Sequence, residues 1–181
     1  MNPTNNIDNG KSIGKYFADV FSYPSSNYGH AVMGLEKFSQ DLEKPIMKIQ
    51  EFNKFIQKAS VSEVEELFTN TFDMNPDTCL ELGWHLYGES YQRGEFMVKM
   101  RQELTRAGVV ESVELPDHLS HCLLLLESMD KSEATQMVEN IIMPAVSKVK
   151  SNLKDDNPYG DAITALLEYF NWNYQILEEV Q

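Results

Sequence analysis

Glu114-Leu115-Pro116-Asp117-His118-Leu119 sets two carboxylates, a helix-starting proline and an imidazole directly ahead of the apolar run Leu123, Leu124, Leu125 and Leu126. A charged cluster at the mouth of an apolar helix is either a well-made helix start or a recognition site. Pro116 at the first helical position would place Asp117 in the first turn, where a negative charge is worth roughly 0.3–1 kcal/mol against the helix dipole. Asp117 and His121 stand four apart, acid first, the favourable order for an ion pair when the imidazole is charged. His118, His121 and Cys122 stand at i, i+3 and i+4, so one helical face could offer three metal donors. A zinc site would need a further ligand from His30, Cys79, His85 or Asp117. A small metal-binding helical enzyme or sensor built on those three residues is therefore the alternative reading, although no CxxC or HExxH pair supports it.

Other catalytic machinery is missing from the sequence. No GxSxG elbow, P-loop or GxGxxG occurs, and Gly83, Gly88 and Gly94 lack phosphate-loop spacing. The acids have no second feature that would make them an acid and base pair, so the chain does not read as an enzyme. Just upstream lie Trp84, Tyr87, Tyr91, Phe96, Met97 and Met100. Such a stripe is either core or the lining of a groove, and flexible Met with amphipathic Tyr suits an apolar helical peptide. Acids at the rim of such a groove would select a peptide with basic flanks.

Composition narrows the partners. The 181 residues suffice for one domain with a real core, and 15 basic against 28 acidic residues give a net charge of -13. Such a surface repels phosphate backbones and anionic lipid, which excludes nucleic acid and favours a basic protein or peptide. Cys79 and Cys122 give neither a disulfide scaffold nor finger spacing, which points to a reducing cytoplasm. Residues 1–10 are polar and Asn-rich, without the pattern of a secretory signal, and are expected to be a disordered lead-in. No apolar run approaches the ~20 residues needed to cross a bilayer.

The elements that must hold these residues are helical throughout. The expectation is an all-α, single-domain compact bundle of about seven or eight helices over residues 11–181. Lys11–Phe21 forms the first, ended by Tyr23-Pro24. A second pattern runs from about Ala31 to Ala59, with Pro45 kinking or splitting it. Ser60 and Ser62, each three residues before a glutamate, supply capping-box patterns for Val61–Phe72. Asn75-Pro76 starts a helix that carries Leu80, Trp84 and Tyr87 and stops near Gly88. Ser90–Ala107 follows, with Gly108 as a left-handed cap. Pro116 opens the Leu-rich helix, Lys131–Lys150 is bent by Pro144, and Asn157-Pro158 caps the last helix, which runs to Ile176.

Several of these stretches, in order, resemble one family. Glu114-Leu-Pro-Asp-His118 is similar to the E-x-x-D-H signature of the TorD/DmsD/NarJ redox-enzyme maturation chaperones, and most of all to their NarJ-type nitrate reductase molybdenum cofactor assembly branch. Thr71-Phe72-Asp73 with Asn75-Pro76, His85 to Ser90 with Arg93-Gly94 and Met97, and Asn157-Pro158-Tyr159 resemble the same branch. The resemblance covers about residues 60–170. It implies an all-helical cytoplasmic chaperone, monomer or homodimer, without catalytic activity and with no stably bound cofactor. Its partner would be the apo catalytic subunit of a nitrate-reductase-like molybdoenzyme, bound mainly through that subunit's N-terminal segment while molybdopterin cofactor is inserted. Glu114, Asp117 and His118 are the motif residues implied in recognition, with Leu115, Pro116, Leu119, Trp84, Tyr87 and Tyr91 as their expected surroundings. The short acidic C-terminus, Glu178 and Glu179, and the Asn-rich start depart from the branch. They leave open perchlorate, selenate or hydrocarbon-oxidising relatives of nitrate reductase as clients.

Overall fold

The computed structural model describes residues 11–176, so the expected lead-in at 1–10 and the acidic pair Glu178 and Glu179 lie outside the described residues. Ten α-helical stretches follow one another: α1 Ile13–Val20, α2 Tyr28–Gln40, α3 Lys48–Ile56, α4 Val61–Phe68, α5 Leu82–Tyr87, α6 Tyr91–Ala107, α7 Leu119–Leu126, α8 Lys131–Met137, α9 Met143–Asn152 and α10 Tyr159–Tyr174. A π-helical turn, Thr69–Asp73, continues α4, and a second, Val138–Ile142, joins α8 to α9. Counted as continuous rods there are 9 helices, 8 of them with seven or more residues, and no strand among the described residues. The all-helical expectation stands.

Helix α7 is the axis of the arrangement. Its sequence LSHCLLLL carries no acidic or basic side chain apart from His121, and seven of its eight residues are buried, among them Leu119, Cys122, Leu123 and Leu125. A helix apolar on every side must be surrounded. It packs against α1 and α6, α1 against α2, α2 against α3, and α10 against α3 and α9. The aromatic centre, Phe52, Phe68 and Phe72 around the fully buried Tyr159, ties α10 to α3 and α4. The Tyr159 hydroxyl lies 3.0 Å from that of Tyr28, which in turn donates to the Val20 carbonyl.

Helix ends follow local chemistry where the signal is local. Ser60 and Glu63 form a capping box on α4, so of the two candidate pairs the structure uses the first. Asp130 and Glu133 form another on α8. Gly108 ends α6 with φ 68°, a left-handed conformation that costs a residue without Cβ nothing. Asn157 accepts from the Tyr159 N–H at 2.9 Å to start α10. The long pattern over 31–59 is split, with α2 ending at Gln40 and α3 starting at Lys48, and Pro45 sits in the gap. Pro144 lies just beyond the second π turn, where its missing N–H is accommodated without breaking the rod.

Two starts differ from expectation. Asn75-Pro76 makes only a turn, with Asn75 Oδ1 accepting from the Asp77 N–H, and α5 begins at Leu82. Pro116 likewise lies in a turn closed by His118 N–H to Leu115 carbonyl at 3.0 Å, and α7 begins at Leu119 with His118 as its cap. Both shifts have one cause. Leu80-Glu81-Leu82 and Asp117-His118-Leu119 run antiparallel and pair: the Leu82 N–H donates to the Asp117 carbonyl at 2.9 Å, and the Leu119 N–H to the Leu80 carbonyl at 2.8 Å. Backbone donors bonded across this bridge hold both segments extended.

Candidate functional site

The bridge fixes where each residue of the acidic motif points. Asp117 is fully enclosed, His118 is 4 % exposed and Leu119 1 %, whereas Leu115 is 43 % exposed and Glu114 half-buried. The motif therefore has an inner half, Pro116 to Leu119, and an outer half, Glu114 and Leu115.

Asp117 does not serve the helix that follows it. Its Oδ2 accepts the Gly83 N–H at 3.1 Å, so together its carbonyl and carboxylate satisfy the first two N–H groups of α5. The expected placement of Asp117 in the first turn of its own helix is thus overturned: its negative charge meets the N-terminal end of α5 instead. Its ion-pair partner is also not His121 but Arg93, whose Nε lies 3.6 Å from Oδ2. Arg93 stacks over Trp84, 5.6 Å from the ring centroid. A methyl group on Gly83 would meet Asp117 Oδ2 at 2.6 Å and Phe96 Cδ1 at 2.9 Å, so this glycine is required by close approach. Asp117 Oδ1 and Arg93 Nε are buried with no hydrogen-bond partner. Burial raises the Asp117 carboxyl above its ordinary range, and the Arg93 guanidinium opposes that shift.

The histidines staple the loop. His118 Nδ1 accepts from the Ser120 N–H at 3.3 Å and lies 2.8 Å from the Ser120 hydroxyl. Burial, with a smaller contribution from His121, brings its pKa down to about 4, so the ring is neutral near pH 7. His121 Nε2 accepts the Ser112 N–H at 3.0 Å, and its Nδ1–H donates to the Leu115 carbonyl at 2.9 Å. Cys122 is buried with its thiol pushed up by desolvation, its Sγ 3.8 Å from the Asp117 carbonyl. The three donors of the metal reading are thus spread over separate protein contacts. Among the described residues no group of three His, Cys, Asp or Glu side chains converges on a point that could hold a metal.

Outside this staple lies a partly apolar, acidic face. Burial and then the neighbouring Glu81 and Asp73 hold the Glu114 carboxyl above its usual range. Trp84 joins the inner half through Arg93, and Tyr87 packs on Phe96 at 5.4 Å while remaining 40 % exposed. Tyr91 stands 82 % exposed at the start of α6. The upstream stripe is therefore divided: Phe96 and Met100 are core, whereas Trp84, Tyr87 and Tyr91 are not. Sequence reasoning misses Gly83, Arg93, Glu81, Asp73 and the Ser112 link as parts of this site. Gly83 alone carries a signal, since a glycine inside a helix costs about 1 kcal/mol relative to Ala and so marks a close approach.

This all-helical fold, with its stapled acidic motif, belongs to the nitrate reductase delta subunit family, whose model matches residues 35–173. Two relatives named nitrate reductase molybdenum cofactor assembly chaperone NarJ, from Escherichia coli strain K12 and from Escherichia coli O157:H7, are each 31 % identical to it over 106 residues. That stretch covers 58 % of this chain and 44 % of each relative, so the match spans less than half of the proteins that carry the name.

Proposed function

We propose that this chain is a non-catalytic chaperone for a nitrate-reductase-like molybdoenzyme. It binds the catalytic subunit before its cofactor is in place, mainly through that subunit's N-terminal segment, and assists molybdenum cofactor assembly in the cytoplasm. Molybdopterin goes into the client, and the chaperone keeps no cofactor. Family membership and the role named for the two relatives support this reading.

The observation that carries the site assignment is the division of the motif. Asp117, His118 and His121 spend their hydrogen bonds inside the protein, and the loop they hold presents Leu115 and Glu114 outward. Contact with the client falls to Glu114, Leu115, Trp84, Tyr87 and Tyr91. Pro116, Asp117, His118 and Leu119 are positioning residues. Exposed aromatics supply apolar contact at low entropic cost, and the acids Glu114, Glu81 and Asp73 favour a peptide with Lys or Arg flanks. Calorimetric titration with a basic, amphipathic peptide from the client's N-terminus tests the assignment. Leu115→Ala and Glu114→Gln should each weaken binding about fivefold or more, the roughly 1 kcal/mol that sets an energetically significant contact apart from a neutral one, with unfolding midpoints unchanged. If both bind like the parent, the outer half of the motif is not the contact surface.

A further inference from the structure

A cleft lies between α2, α3 and α4 and shares no residue with the motif face. It holds about 310 Å³, within the lower end of small-molecule sites, and its walls include Tyr28, His30, Met33, Ile56, Val61 and Val64. In a chain with 15 basic and 28 acidic residues, no Asp, Glu, Lys or Arg lines it. Met33 and Val61, about half exposed, stand at its edge rather than being folded away. Asn53 belongs to the lining and is 3 % exposed. Its amide is fixed in sense, because Nδ2 donates to the Glu36 carboxylate, which can only accept, and Oδ1 is left enclosed with no donor from the protein. A buried acceptor without a partner is costly, and native proteins keep one mainly where something else completes it.

We propose that this cleft binds a small, uncharged, largely apolar molecule carrying one hydrogen-bond donor, which seats among Met33, Ile56, Val61 and Val64 and donates to Asn53 Oδ1. No Asp, Glu, Lys or Arg lines the cleft and its one titratable side chain besides the buried Tyr28 is His30, so a charged metabolite would leave its water with no fixed counter-charge to meet. The volume accommodates a fused bicyclic ring. Because Oδ1 is enclosed, binding parts the side chains above it.

Indole is the probe, with benzothiophene, of the same shape but lacking the N–H, as the comparison. Methyl resonances of Met33, Ile56, Val61 and Val64 should shift saturably with indole, and benzothiophene should bind about tenfold more weakly. Val61→Glu, an acidic substitution that the first turn of α4 tolerates, should abolish the shifts, and Leu115→Ala on the motif face should leave them unchanged. No saturable shift at these methyls, equal affinity for both probes, or loss of binding in Leu115→Ala would each overturn the proposal. The outcome is independent of the client peptide, so it can fail while the chaperone reading stands.

Discussion

Replacing Gly83 by alanine should destabilise the protein, although the same change in an ordinary helix stabilises it. Gly83 lies in α5, where gaining a Cβ is worth about 1 kcal/mol from helix propensity. Here the added carbon would stand 2.6 Å from Asp117 Oδ2, 2.9 Å from Phe96 Cδ1 and 3.4 Å from Arg93 Cγ. Overpacking costs typically about 1–3 kcal/mol, and displacing Asp117 also loses the cap on the Gly83 N–H, about 1 kcal/mol more. The cost wins, by roughly 1–3 kcal/mol net. Gly94 is the internal control, since it lies in α6 and a methyl group there would meet nothing within 4 Å. Gly94→Ala should stabilise by about 0.5–1 kcal/mol. Urea unfolding followed by circular dichroism reads both, and in thermal melts each kcal/mol should appear as about 2–4 °C for a chain of this size. A Gly83→Ala protein as stable as the parent would refute the close contact between Asp117 and α5, and with it the mechanism that aims the motif loop.

Other perturbations test the remaining supports. His118 is depressed from 6.5 to about 4, so it contributes stability that is complete above its ordinary pKa and is lost as pH falls from about 6.5 through 4. The full span corresponds to about 3 kcal/mol. The raised Asp117 and Glu114 carboxyls act with the opposite sign, regaining stability as they are protonated. The comparison is therefore differential: between about pH 7.5 and about pH 5 the parent should lose more stability than His118→Gln, and equal losses would remove the buried neutral imidazole from the account. Ser60→Ala should cost about 1 kcal/mol by urea unfolding and Ser62→Ala much less, because only Ser60 caps α4. Equal costs would mean that the helix starts elsewhere.

What is legible in the sequence is what is decided within a few residues. Gly108, the Ser60 box and Asn157 place helix ends by bonds that close locally, and each is where the pattern puts it. Local spacing assigns Asp117 to its own helix, whereas its real partner, the Gly83 N–H, is 34 residues away. Asn75-Pro76 carries a correct turn signal, but the bridge to Asp117-His118-Leu119 delays the helix to Leu82. No local rule announces such a pairing. The exposure of Leu115 and Tyr91 beside the burial of Asp117 is equally a tertiary outcome, since residue types and spacing are the same either way. The motif itself stands out through family likeness, which physics at single-residue range does not supply.

Site-directed photo-crosslinking to the cofactor-free catalytic subunit tests the central claim most directly. A benzophenone side chain placed at Leu115, on the outer half of the motif, should crosslink to the subunit's N-terminal segment. The same group at Val61, about half exposed at the edge of the cleft between α2, α3 and α4, should not. Crosslinks from position 61 with none from position 115, or none from either in a co-purified complex, would contradict the account that the stapled loop carries the client-binding face.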